Sequence, residues 1–326
     1  MQAPGMLVFS SLAAGAIERI VGYAREAEAR GFRNVLVTEA LTDSLALAQH
    51  LAGQTSRIQV GTGIANIYLR HPLLAALHAM AIDALAPGRM LLGLGTSHVA
   101  MNSLFGIAMD KPLTALRQYV EEVRGVFRGE EEGVKALASR GLSAPTAGGR
   151  IPIFLAGISP KSIELTGEIA DGSLPLNFTP QGLKAVVQGV ANGARRAGRS
   201  PAEVTIGLIM HACVCPDRAV AMRSVKNTLS FYAQMPFYNR LFARQGFERE
   251  ARAIAEAASR GDAAGAAKAI SDEMAESVAA LGSAQDCRRK AEEFEKAGAS
   301  YVIVYPTAID GDLAKGVRAA LAAFGS

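Results

Sequence analysis

Short apolar runs and amphipathic stretches alternate along almost the whole chain. Apolar runs bounded by glycine or polar residues predict buried strands at 6–10, 33–39, 57–66, 88–96, 151–157, 172–176, 204–214 and 301–305. Apolar positions at helical spacing fill the intervals and predict helices at 17–30, 43–55, 73–85, 112–127, 159–170, 180–197 and 311–324. The fourth of these helices has Pro112 at its start and Gly129 past its end, as capping preferences require. Residues 129–150 are polar, glycine-rich and aperiodic, and read as a surface excursion. The stretch 217–296 is too long for one crossover. Its pattern predicts several helices, broken near Pro236, Gly246, Gly261 and Gly282, inserted between the seventh and eighth strands. Eight β-α units predict a (β/α)8 TIM barrel with that helical insertion, as one domain over 1–326; an open doubly wound sheet is the rival. In a barrel the insertion starts at the catalytic face, where it would form a lid or a dimer surface.

Composition narrows the classes. Half of the 326 residues are apolar and 20% are charged, enough for a large buried core. No apolar run reaches the roughly 18 residues of a membrane span. The first residues lack a basic and an apolar segment of the secretory kind, and three cysteines make no disulfide framework, so a cytoplasmic location is expected. The net charge of +4 comes from basic residues scattered among acidic ones, which argues against nucleic-acid binding.

Two strand candidates end in glycines: Arg57-Ile58-Gln59-Val60-Gly61-Thr62-Gly63-Ile64 and Met90-Leu91-Leu92-Gly93-Leu94-Gly95. Strand ends without Cβ atoms predict a bed of bare backbone for a flat ligand, built from Gly63, Ile64 and Asn66 on one strand and Gly95 and Thr96 on the next. A plain tight turn also accounts for Gly63-Ile64. Neither glycine pair has a third glycine three residues on, so a Rossmann dinucleotide site is disfavoured. Glu39 ends the second strand, where a carboxylate either meets a ring, as an acid or base, or forms a salt bridge to an arginine. His98 follows Thr96 and Ser97 as a ligand-facing or merely structural histidine. Ala156, Gly157, Ser159 and Lys161 meet at a helix start, which suits an anion and is equally ordinary capping by Ser159 before Pro160. His71 reads as a turn former, and His50, His78 and His211 as fillers. Cys213 and Cys215 read as buried thiols rather than metal ligands, and no metal site is expected. No serine nucleophile elbow and no strand lysine are present.

These pieces resemble the luciferase-like monooxygenase superfamily of flavin and deazaflavin barrels. The matching residues are Tyr23-Ala24-Arg25-Glu26-Ala27-Glu28 before Gly31-Phe32, Thr55 to Gly63, Arg70-His71-Pro72, Asp83 to Arg89, Leu92 to Thr96, Ile151-Pro152-Ile153 with Ala156-Gly157, and Gly167 to Gly172. Within the superfamily the layout is similar to the 5,10-methylenetetrahydromethanopterin reductase group, through Arg244-Gln245-Gly246-Phe247, Gly261-Asp262 and Ala280-Leu281-Gly282-Ser283. That resemblance implies coenzyme F420 at the carboxyl end of the barrel, a non-proline cis peptide at Gly63-Ile64 behind its ring, and Ala156, Gly157 and the following turn against its phosphate or side chain. It also implies a homodimer. The group commonly carries a histidine after the acidic residue of the second strand; here Ala40 follows Glu39.

The leading functional reading is an F420-dependent oxidoreductase moving hydride between the cofactor and a small organic substrate, with Glu39 and His98 as the catalytic pair. The alternative is an FMN-dependent monooxygenase supplied by a separate flavin reductase. A non-catalytic flavin- or ligand-binding barrel, suggested by Ala40, is the third.

Overall fold

Parallel pairing closes the sheet on itself. The computed structural model describes residues 1–39, 42–140, 147 and 151–325, so Ala40 and most of 141–150 lie outside the described residues. The strands are β1 (Gly5–Val8), β2 (Asn34–Val37), β3 (Gln59–Thr62), β4 (Ala65–Asn66), β5 (Met90–Gly95), β6 (Ile153–Leu155), β7 (Gly172–Ser173), β8 (Thr205–Val214), β9 (Ala279–Gly282) and β10 (Tyr301–Pro306). The ring runs β1-β2-β3-β5-β6-β7-β8-β10, and β10 pairs with both β8 and β1. Eight parallel strands thus form a TIM barrel with helices outside it, and the doubly wound alternative is excluded.

Residues alternate between two environments along each strand, as period-two geometry demands. Leu7, Leu36, Leu91, Phe154, Leu174, Ile209, Tyr301 and Ile303 form one buried cluster inside the ring. Their sequence neighbours, including Met6, Val8, Val35, Val37, Leu92 and Met210, pack outward against the helices. Several residues of the family-like motifs tie the lower end of the barrel together. The Glu28 carboxylate accepts hydrogen bonds from the Ser56, Arg57 and Ile58 amides, which fixes the approach to β3. Arg89 donates to the Ile58 and Thr55 carbonyls, and Asp171 accepts from the Ile153 amide and from Arg124.

Three elements depart from the sequence reading. A helix, Glu132–Ala138, lies in the expected surface excursion; it spans under two turns, too few to show a period, with Glu132 in its first turn and Lys135 in its last. A second short helix, Val99–Leu104, follows β5. Strand β9 emerges from the stretch read as wholly helical. Between β8 and β10 the chain otherwise forms helices Arg218–Ala233, Pro236–Arg244, Glu248–Ser259, Ala263–Lys268, Asp272–Val278 and Ala284–Lys296. Val225, Leu229, Phe242, Ile254, Ile270 and Met274 give this segment an apolar cluster of its own.

The upper half of β8 changes partner. Its lower part pairs with β7, and Leu176 still bridges to Ile209. From His211 onward β9 takes that edge, pairing Ala279 with His211 through to Gly282 with Val214. The 215–278 segment therefore leaves and rejoins the barrel on one strand.

The glycines of β3 and β5 are required by close approach. A Cβ on Gly61 would sit 2.1 Å from the Leu91 carbonyl oxygen, and one on Gly93 would sit 2.0 Å from that of Thr62. Backbone atoms have no rotamer by which to yield. Gly61→Ala and Gly93→Ala are each expected to destabilise the fold by at least about 2 kcal/mol. Gly22→Ala, in the helix Ala16–Ala29 with nothing within 4 Å of the added Cβ, is expected to stabilise by roughly 0.5–1 kcal/mol. Urea unfolding of the three variants checks both signs.

Candidate active site

The carboxyl ends of the strands gather most of the residues singled out above. The Gly63-Ile64 peptide bond is cis. It falls where β3 gives way to β4: Gly61 pairs with Leu91 and Ala65 with Leu94, so four steps along one strand face three along the other, a one-residue bulge. Beyond it Asn66 pairs with Gly95.

The glycines do not make the expected bare bed. A Cβ on Gly63 would meet Leu7 Cδ1 at 2.7 Å, and one on Gly95 would meet Ile64 Cδ1 at 2.9 Å. Neighbouring side chains, not a ligand, occupy the space that the missing Cβ atoms leave. The surface offered to the mouth is instead a partly exposed apolar layer of Ile64, Ala156, Leu176 and Tyr305 on top of the interior cluster.

Glu39 lies beside this layer with its side chain 3% exposed. Its Oε1 accepts from Arg70 Nη2 at 2.5 Å and from Ser44 Oγ at 3.2 Å, and its Oε2 accepts from the Asn66 amide at 2.5 Å and from Arg70 Nη1 at 3.2 Å. Of the two readings open for Glu39, these contacts are those of the salt bridge. Asp43 also reaches Arg70, at 3.1 Å. Burial pulls the Arg70 guanidinium down, but hydrogen bonding and charge from Glu39, aided by Asp43, leave it above its ordinary value. The network continues through Asn66 Nδ2, which donates to Asn102 Oδ1 at 2.8 Å, and Asn102 Nδ2, which donates to the Thr96 carbonyl at 2.9 Å. One buried carboxylate thus organises the ends of β2, β4 and β5.

The other predicted residues stand around the same mouth. His98 precedes the helix Val99–Leu104, makes no capping bond, and lies edge-on to Tyr238 at 6.5 Å between ring centroids. Burial holds its imidazole below the usual range. Ser159 caps the helix Pro160–Ile169 in a reciprocal box with Ser162, and Gly157 is compact because Ser162 Oγ lies 2.8 Å from where its Cβ would be. His71 accepts from the Leu73 amide, as a turn former should.

The segment after β8 roofs the far side of the mouth. Arg244 donates to the Ile158 carbonyl beyond β6, and Gln245 joins the Thr179 amide to the Asn177 carbonyl beyond β7. Tyr232 and Tyr238 meet edge to face at 5.0 Å, and Tyr232 lies 5.3 Å from His211. From sequence alone His211 reads as a filler. It is 1% exposed, stacks on Tyr305 at 5.0 Å and 26°, and neither ring nitrogen has a hydrogen-bond partner among the described residues. The signal was its spacing: two residues after interior Ile209 it must also face inward. No group of metal-ligating side chains occurs among the described residues, and no described helix is long and apolar enough to cross a membrane.

A closed parallel barrel with a buried polar network and a roofed mouth at its carboxyl face has the layout in which (β/α)8 enzymes hold their ligands. The chain belongs to the luciferase-like monooxygenase family, whose profile matches residues 5–301. A 5,10-methylenetetrahydromethanopterin reductase of Methanolobus tindarius is 29% identical over 292 residues, covering 87% of this chain and 89% of the relative. The reductase of the same name from Methanopyrus kandleri is 30% identical over 270 residues, covering 77% of each. The solved structure of the coenzyme F420 dependent tetrahydromethanopterin reductase from Methanopyrus kandleri shares the fold, with a TM-score of 0.79 and 22% identity over 98% of this chain and 97% of that one.

Two outcomes follow from burial. Arg70→Leu strands the Glu39 carboxylate and is expected to cost roughly 3–5 kcal/mol, most of it recovered in the Glu39→Gln/Arg70→Leu double variant; urea denaturation measures both. Burial also lowers the His211 pKa to about 3. The unfolded chain, with its histidine at about 6.5, takes up that proton first as pH falls. Native stability therefore drops by about 1.4 kcal/mol per pH unit between those two values. His211→Phe removes this contribution, so the stability difference between pH 7 and pH 5 should narrow by up to about 2 kcal/mol in urea unfolding.

Proposed function

We propose that this chain is an F420-dependent oxidoreductase acting on a small organic substrate at the carboxyl end of the barrel. The observation that carries the reading is the apolar layer of Ile64, Ala156, Leu176 and Tyr305, partly exposed beside the buried Glu39–Arg70–Asn66 network. A flat ring fits such a layer, because it covers apolar surface on one face and leaves its polar edges to the network. The start of helix Pro160–Ile169, with exposed Lys161 and the Arg244 guanidinium at Ile158, suits the anionic part of the cofactor. When bound, F420 would accept or supply the hydride.

The protein's own groups have separable tasks. Ile64 and Ala156 would seat the ring, and Ser159, Lys161 and Arg244 its charged extension. Glu39 would act through Arg70 and Asn66 as a positioning residue, because its oxygens are already engaged. His98, half-buried beside Tyr238, would stand at the substrate side, where burial keeps its imidazole neutral and able to pass a proton. The roof helices would exclude water and shape the substrate space.

Titration of the purified protein with F420, followed by the cofactor's absorbance and fluorescence, tests this reading. Saturable binding is expected, weakened roughly tenfold in Lys161→Ala/Arg244→Ala with little change in stability. Tight FMN binding without F420 affinity would overturn it in favour of the monooxygenase alternative. Binding of neither would favour a barrel without this chemistry.

A further inference from the structure

His211 stands where β8 passes from β7 to β9, opposite Tyr305 in the β10 register. It shares the inward face with Ile209, one layer nearer the mouth than the interior cluster. Tyr305 and Tyr232 lie against its ring, and both are half-buried, as are Tyr238 and His98 beyond them. The cluster therefore joins the buried imidazole to the mouth. Asn177, on the loop after β7 at the same changeover, is 1% exposed, and neither of its side-chain amide atoms has a partner among the described residues.

Two polar side chains buried without partners at one strand-end junction are costly. As a filler, His211 would be better replaced by leucine or phenylalanine, which pack without that cost. A ligand that hydrogen-bonds the ring removes it. Charge narrows the ligand: burial strongly disfavours imidazolium here, so His211 offers a neutral N–H donor and a neutral nitrogen acceptor. The segments that follow β1, β5 and β8 leave Phe9, Leu12, Val99, Phe105, Phe231 and Phe237 exposed.

We propose that His211, framed by Tyr232 and Tyr305, is a specificity-determining residue that binds the oxygen of an uncharged substrate: a small, mainly apolar molecule with one carbonyl or hydroxyl group. Its ring N–H donates to a carbonyl oxygen, and its other nitrogen accepts from a hydroxyl. The substrate reaches it by parting Tyr232, on the roof, from Tyr305, on the barrel. This inference rests on the mouth being the active site proposed above and gives that site its substrate class.

The test uses F420-loaded protein, 15N-labelled at histidine, titrated with cyclohexanone, cyclohexanol and, as an oxygen-free control, methylcyclohexane. Cyclohexanone should move the His211 ring-nitrogen signals and leave those of His50 and His78, on the outer helices, in place. His211→Phe should weaken cyclohexanone and cyclohexanol about tenfold, the worth of one neutral hydrogen bond, and leave methylcyclohexane unchanged. His211→Gln, which keeps a donor and an acceptor, should recover part of the loss. Unmoved His211 signals in the wild type, or equal ketone affinity in wild type and His211→Phe, would overturn the proposal; the first readout needs no variant to fold. F420 fluorescence in the same samples separates the two levels. Cofactor bound with no response to the ketone overturns the substrate assignment alone, whereas binding of neither overturns both.

Discussion

Strands β3 and β5 approach until the carbonyl of each would touch a methyl group on the other, and the upper barrel depends on that closeness. Gly61 and Gly93 make it sterically allowed. Leu7, Leu36 and Leu174 then fill the axis that larger residues on β3 and β5 would have occupied. With the axis filled from other strands, β3 can take up its extra residue at Gly63-Ile64 and still resume pairing with β5 at Ala65. The bulge turns Ile64 over Gly95 and into the layer facing the mouth. A packing requirement deep in the wall thus sets the shape of the surface above it.

Above that wall, electrostatics replaces packing as the organiser. The Glu39–Arg70 pair is nearly dry, with side chains 3% and 10% exposed. Its value lies less in net stability, since desolvation offsets much of the attraction, than in geometry. Two guanidinium nitrogens held in one plane meet the two carboxylate oxygens, and one of those oxygens also holds a backbone amide of β4. Removing the freedom of that amide orders Asn66, and through Asn102 the turn after β5.

The fold was legible because its strands are buried on both sides and its helices are amphipathic, so period and run length distinguish them. Where elements span no more than about two periods, as at Glu132–Ala138 and β9, the pattern is too short to read. The family-like motifs proved less informative about chemistry than their spacing suggested. Glu28, Arg89 and Asp171 bind backbone at the lower end, so much of the recognisable signal records how the barrel is closed. At the mouth, a missing Cβ says only that something approaches, and here it is a side chain, Leu7 at Gly63 and Ile64 at Gly95. Glu39 was identified as important, but its arginine lies 31 positions away, and the sequence left the choice between reaction partner and ion pair open. His211 passed as a filler although its parity with Ile209 already placed it inside.

The exchange of β7 for β9 along the edge of β8 has an evolutionary reading. A segment that departs from and returns to one strand closes a loop whose ends are held by hydrogen bonds within that strand's own ladder. Loop entropy grows only with the logarithm of length, so the 215–278 segment can be lengthened, shortened or exchanged at little expense to the register of the ring. The segment over the mouth can then change in length and sequence while the wall beneath it keeps its register.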